Sequence, residues 1–155
     1  MGLGQLKAIC RNGQVVKKGD WYLPAPKQIG YLDQHYATLD PEQTVCDLLS
    51  NIRLDWSHRE IREHLNDFLF RKNEEVDRLV KNLSGGEKAR LSLSLIAART
   101  PQLLILDEIT NNIDLETKQH LIQVLRDYPG AMIVVSHEES FLNQIGVNTL
   151  YFLRG

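Results

Sequence analysis

Leu103-Leu104-Ile105-Leu106-Asp107-Glu108 is the stretch that decides the fold. Four consecutive apolar residues suit a strand buried on both faces, the habit of parallel sheets. Two carboxylates follow at its carboxyl end, where open α/β sheets bind ligands. Adjacent acids repel, so the pair is comfortable only beside a cation or with a proton shared between them. An ordinary strand running into a solvated acidic turn has the same spelling. Taken alone, this run leaves the two readings level.

Working outward, Asp114 is placed to cap a helix that ends before Pro129-Gly130. Ala131–Val135 is a second buried run. Ser136 and Glu139 have the spacing of a capping box for a short helix, and Thr149–Leu153 reads as a last strand. Upstream, Gln14–Lys18 and Gln28–Tyr31 read as short strands, and Met1–Ile9 as the tail of a helix. The middle is helical. Thr44 with Asp47 and Ser57 with Glu60 are hydroxyl-then-acid pairs that satisfy free amides at helix starts. Ile61, Leu65, Phe68 and Leu69 share one helical face, and a further apolar helix runs from about Glu87 to Arg99. Strands alternating with helices predict an α/β fold, a mostly parallel sheet flanked by helices.

The bulk numbers narrow the class. In 155 residues, 43% hydrophobic and 25% charged, there is enough apolar matter for one domain with a core. The net charge of -2 gives no overall pull toward nucleic acid or anionic membranes. No apolar run reaches bilayer length, so no membrane segment is expected. Cys10 and Cys46 stand in no metal spacing. With no export pattern, they predict a cytoplasmic protein without disulfides.

Three further constellations carry chemistry. In Leu83-Ser84-Gly85-Gly86-Glu87-Lys88, the glycines permit close backbone approach, and Ser84 with Glu87 caps the following helix. The free amides of that helix start suit a terminal phosphate, although a cap without a ligand has the same sequence. In Val134-Val135-Ser136-His137 a strand ends in a histidine able to bond a phosphate or order a water. In Ile29-Gly30-Tyr31-Leu32-Asp33-Gln34 a strand ends in a neutral amide that can touch both metal and water. Asp107 and Glu108 fit Mg2+ on a nucleotide: the first would hold the ion, the second would orient or deprotonate water.

In this order the four stretches resemble the motifs of ATP-binding cassettes. Gln34 looks like the Q-loop glutamine and Leu83–Arg90 like the signature motif. Leu103–Glu108 looks like Walker B, Asn111–Asp114 like the D-loop, and His137 like the switch histidine. Glu87-Lys88-Ala89-Arg90, and Ile29–His35 followed by Asp40-Pro41-Glu42, resemble the second cassette of ABC-F proteins. The resemblance implies a P-loop NTPase-like core from residues 1–43 and 100–155, with a helical signature subdomain at about 44–99. It implies ATP and Mg2+ as cofactors, with Asp107 and Gln34 toward the metal. Glu108 and His137 would be catalytic, and Gln34, Ser84, Gly85, Gly86, Glu87 and Asp114 would face nucleotide. It also implies a second cassette as partner, intact or a copy of this chain, and a link to the ribosome.

The sequence departs from that family in places. No G-x-x-x-x-G-K-[ST] loop occurs in it, and the register puts Gly2, Leu3 and Gly4 where the lysine and hydroxyl belong. The chain therefore reads as a truncated cassette, and ATP hydrolysis by it alone is expected to be poor or absent. Ile109 stands where the family usually has Pro, which should loosen the turn presenting Glu108, and Asn112 stands where it usually has His. Two other functions share these residues. One is the ATP-binding subunit of a transporter. The other is a non-catalytic module that binds a protein or the ribosome through the basic and acidic mixture between Thr44 and Asn82.

Overall fold

The computed structural model describes residues 23–148. Three strands, β1 (Ile29–Asp33), β2 (Leu103–Asp107) and β3 (Ala131–Val135), form a parallel sheet in that order. The register pairs Asp33 with Asp107 and Asp107 with Val135. The chain therefore leaves all three strands on one level, and Gln34, Glu108 and Ser136 are the first residues past it. The strand expected at Gln28–Tyr31 lies one residue later at its start, because Pro26–Gln28 forms a short 3-10 turn ahead of it.

Between β1 and β2 run α1 (Val45–Ile52), α2 (His58–Asp67), the single turn α3 (Asn73–Val76) and α4 (Gly85–Arg99). The predicted starts hold. Thr44 accepts from Asp47 N, and Ser57 with Glu60 and Ser84 with Glu87 complete reciprocal capping boxes. Ile61, Leu65 and Phe68 are buried as expected, but Leu69 is only half-buried and adopts a positive φ of 67° as the chain leaves the helix. α4 is apolar around most of its circumference and is the central helix, packed against α1, α2 and α5 (Leu115–Arg126). It ends at Thr100 in the left-handed region, and Pro101 prevents its continuation.

β2 is buried at all five positions, as its apolar run requires. Leu104 and Leu106 share one buried cluster with Leu121 and Leu125 of α5 and Phe141 of α6 (Glu139–Gln144). β3 departs from expectation. Its sequence is as apolar as that of β2, yet Ala131 is exposed and Ile133 is 38% exposed. Like β1, it is an edge strand of the three described strands and pairs on one side only within them, whereas β2 lies between two partners. The start of α6 is also corrected. Its N-cap is Glu138, not Ser136, and no side chain caps it. The Ser136 hydroxyl instead accepts from the Glu138 amide at 3.1 Å, two residues upstream of the first turn. The expected elements at Met1–Ile9, Gln14–Lys18 and Thr149–Leu153, and Cys10, lie outside the described residues. Cys46 is free and half-buried on α1.

Candidate functional site at the carboxyl end of the sheet

The strand ends carry a row of polar groups. Asp107 is 7% exposed and accepts from the Tyr31 phenol, 3.1 Å from its Oδ2. Glu108 follows in the left-handed region at φ 53°, its amide bonded to the Val135 carbonyl at 2.9 Å. That backbone turns the carboxylate toward β3, where Oε1 lies 3.1 Å from His137 Nε2. The two side chains differ in setting: Glu108 is 16% exposed and His137 is 96% exposed. Gln34, on the other flank, accepts from Asn111 Nδ2 at 3.3 Å. Gln34, Asn111, Asp107, Glu108 and His137 thus sit along one edge, a ledge rather than a pit. The cavity of about 360 Å3 lies elsewhere, between β1 and helices α1 and α4, and none of the predicted site residues lines it.

The turn after Glu108 is held differently from expectation. Ile109 is buried in the core, so packing anchors the turn that a proline ring would have stiffened. Asn112 has φ 61°, a conformation asparagine tolerates better than most residues.

The signature stretch forms a second, self-contained cluster. Glu87 is fully engaged: Oε2 accepts from the Ser84 amide at 2.8 Å and Oε1 pairs with Arg78 at 2.9 Å. Asp114 is engaged too. It accepts from the amide and the hydroxyl of Thr117, each at 2.8 Å, and caps α5. Those bonds hold its carboxyl below its ordinary pKa. Gly86 lies against that cap, and a Cβ there would sit 2.7 Å from Asp114 Oδ2. Gly85 is open, its nearest such contact being the Asn112 carbonyl at 3.5 Å. Of the groups expected to face nucleotide, Glu87 caps α4, Asp114 caps α5, and Gly86 lies against the Asp114 carboxylate between them.

Two residues of the ledge were not singled out from sequence. Tyr31 sits two positions before Asp33 on the same strand face, and strand alternation was the available signal. Asp33 is buried, and its Oδ1 accepts from the amides of His35 and Ala37. It is a loop cap, legible only as an acid before a turn.

The donors on the ledge suit Mg2+. That ion takes one or two carboxylates and leaves its other positions to water and phosphate oxygens. Asp107 offers a buried carboxylate with Glu108 next to it, and the Gln34 carbonyl has a second lone pair beside its bond to Asn111. Among the described residues no group of three or more His, Cys, Asp or Glu side chains could enclose an ion by itself.

A family profile described as ABC transporter matches residues 4–111. The chain is 42% identical over 122 residues to the putative ATP-binding protein YdiF of Bacillus subtilis, covering 79% of this chain and 19% of that protein. It is 39% identical over 129 residues to the ATP-binding protein Uup of Haemophilus influenzae, covering 81% and 20%. It is 40% identical over 116 residues to the probable ATP-binding protein YheS of the same organism, covering 74% and 18%. The chain spans about a fifth of the length of these relatives. In fold it is similar to the ATP-binding cassette MJ0796, solved as a dimer in a post-hydrolysis state bound to ADP and Pi. The TM-score is 0.61 at 19% identity, over 75% of this chain and 55% of that one. Among the described residues no helix is long and apolar enough to cross a membrane. With a family match over most of its length and relatives of the ABC-F type, the chain belongs to the ATP-binding cassette family.

Proposed function

We propose that this chain provides the carboxylate side of an ATP site and the signature side of another, and that it works in a pair of cassettes. The observation that carries the reading is Glu108, which a left-handed backbone and a bond to Val135 hold at the end of β2 against His137. Asp107 would hold Mg2+, with Gln34 as a neutral second contact. When bound, the ion would neutralise phosphate charge. Glu108 would orient or deprotonate the attacking water, and His137 would keep that carboxylate aimed. Ser84 and Gly85, at the open start of α4, would offer amides to a phosphate held by the partner cassette. Gly86, Glu87 and Asp114 would keep that start in place. The helices between Val45 and Arg99 would carry the signature as one arm.

Within these 155 residues no loop of phosphate-gripping sequence occurs, and positioning is most of the catalysis in phosphoryl transfer. The chain alone is therefore expected to bind ATP weakly and turn it over at background rate. Coupled-enzyme phosphate release from the purified chain and from Glu108→Gln tests this. Turnover by the chain alone that disappears in the variant would overturn it. Pairing is tested by sedimentation with an intact cassette of the YdiF type, with and without ATP. Association that ignores ATP would count against a shared site. A link to translation is supported by likeness to ABC-F relatives and by that alone, and salt-sensitive binding to ribosomes is its test.

A further inference from the structure

A side-chain contact ties the end of β1 to the turn after β2. The register sets Asp33 level with Asp107, so Gln34 and Glu108 leave the sheet side by side. The chain past Glu108 is anchored, because Ile109 and Thr110 are both buried. Asn111 comes next. It is exposed, and its Nδ2 donates to Gln34 Oε1 at 3.3 Å. At the other end of the same amide, Gln34 Nε2 lies 3.3 Å from His35 Nε2. We propose that Asn111 is a positioning residue, which fixes the Gln34 carboxamide with its oxygen on the β2 side and so toward a metal ion held there. This rests on the reading of Gln34 as a metal contact.

A carboxamide has two ends of nearly equal shape and opposite use. Its oxygen can bind a cation, whereas its NH2 group only donates and repels one. Rotation about the last side-chain bond of a glutamine is broad and roughly two-fold, so an unheld Gln34 would present either end. Asn111 Nδ2 can only donate, and it therefore selects the oxygen. That bond uses one of two lone pairs and leaves the other. His35 acts from the opposite side, where a ring nitrogen without a proton accepts from the amide. Asn111 is neutral, so it brings no charge to compete with a cation. The turn that carries it is held by the buried Ile109 and Thr110, so the donor stays in place without help from Gln34. A side chain ordered in advance binds more tightly than a loose one of the same length, here by about threefold.

The test is Mn2+ alone, titrated into the 155-residue chain and followed by paramagnetic broadening of the Glu108 backbone amide signal. Four proteins are compared: wild type, Asn111→Ala, Gln34→Ala and the double variant. Affinity should fall about threefold in Asn111→Ala. Gln34→Ala should lose at least as much. The double variant should bind as Gln34→Ala does, because Asn111 acts only through that amide. The Gln34 side-chain amide signals should also shift in Asn111→Ala before metal is added, which a change in stability alone would not cause. Unmoved signals overturn the contact itself. Equal affinity in wild type and Asn111→Ala, with a loss in Gln34→Ala, overturns the positioning role and spares Gln34 as a metal contact. A loss in the double variant beyond that of Gln34→Ala overturns the role as well, since Asn111 then acts by another route. No binding in wild type, or unchanged affinity in Gln34→Ala, overturns the metal reading of Gln34 and the positioning role with it.

Discussion

The start of α4 and the end of β2 are both polar corners of the molecule, and they use their polar groups in opposite ways. At the helix start, Glu87 is spent on Ser84 and Arg78, Asp114 on Thr117, and Gly86 on the contact between the two caps. At the strand end, Asp107 and Glu108 stand side by side, and Glu108 Oε1 lies 3.1 Å from the ring of the exposed His137. The first corner is closed on itself and contributes stability. The second sets two acids side by side at the carboxyl end of the sheet. The difference separates residues spent on local structure from residues left at the strand ends, although both sets lie in family motifs.

The sharpest way to break this contrast is at the paired glycines. Gly86→Ala drives a Cβ to 2.7 Å from Asp114 Oδ2 and 3.2 Å from Thr117 Oγ1, so the cap of α5 has to give way. Gly85→Ala meets nothing closer than 3.5 Å and gains helix propensity. Urea unfolding should place the Gly86 variant about 1 to 2 kcal/mol below the Gly85 variant. Equal midpoints would mean that the two helix starts are not locked together. Ser84→Ala is the next step down, costing about 1 kcal/mol for a lost N-cap. Ser136→Ala should cost about half that or less, because Ser136 accepts one amide ahead of α6 and caps no helix. Equal losses would restore the capping box that the structure replaces.

That last comparison shows where the sequence is readable. Serine at 84 and serine at 136 are each followed three residues later by glutamate, and only the first pair closes a box. The local pattern is the same. What differs is tertiary: Glu138 pairs with Lys118 of α5, and His137 is drawn to Glu108, so the helix begins two residues later. The apolar runs of β2 and β3 teach the same lesson. Periodicity identifies both as strands, but only position in the sheet makes one buried and the other half-exposed. The ledge was legible in Asp107, Glu108, Gln34 and His137, since a motif names the end of a strand. Tyr31 and Asp33 were not singled out, because their roles depend on which strand lies beside β1 and in what register.

Acid separates the regions by a smaller effect. Bonds to Thr117 hold Asp114 below its ordinary value of 3.8. For an acid with a depressed folded value, the contribution is present above the ordinary value and is lost as pH falls through the folded one. The α4–α5 corner should therefore loosen only in strong acid. His120 of α5 behaves otherwise. Burial lowers its pKa from 6.5, opposed by the Asp67 backbone, with Arg90 lowering it further and Asp67 and Glu116 raising it. A base lowered on folding takes its proton first in the unfolded chain, so stability is level above about pH 6.5 and declines below it. Urea midpoints from pH 7.5 to 5 should fall in wild type and flatten in His120→Gln. Parallel curves would place the acid-sensitive group elsewhere.

The smallest effect carries the most information about the ledge. Glu108→Gln removes one of two adjacent negative charges, keeps the shape, and leaves an amide that can still meet His137. Loss of its pairing with an exposed imidazole costs little, since such surface pairs contribute between about 0 and 1 kcal/mol. Relief of repulsion from Asp107 acts in the other direction. Thermal unfolding should therefore show the variant as stable as wild type or slightly more so. Ser84→Ala at the closed corner should show a clear loss. A carboxylate that can be neutralised without cost is not there to hold the chain together, and its place at the strand end then has to be explained by what it faces. A marked drop in the melting temperature of Glu108→Gln would instead make Glu108 a structural partner of His137 and β3, and the contrast between the two corners would disappear.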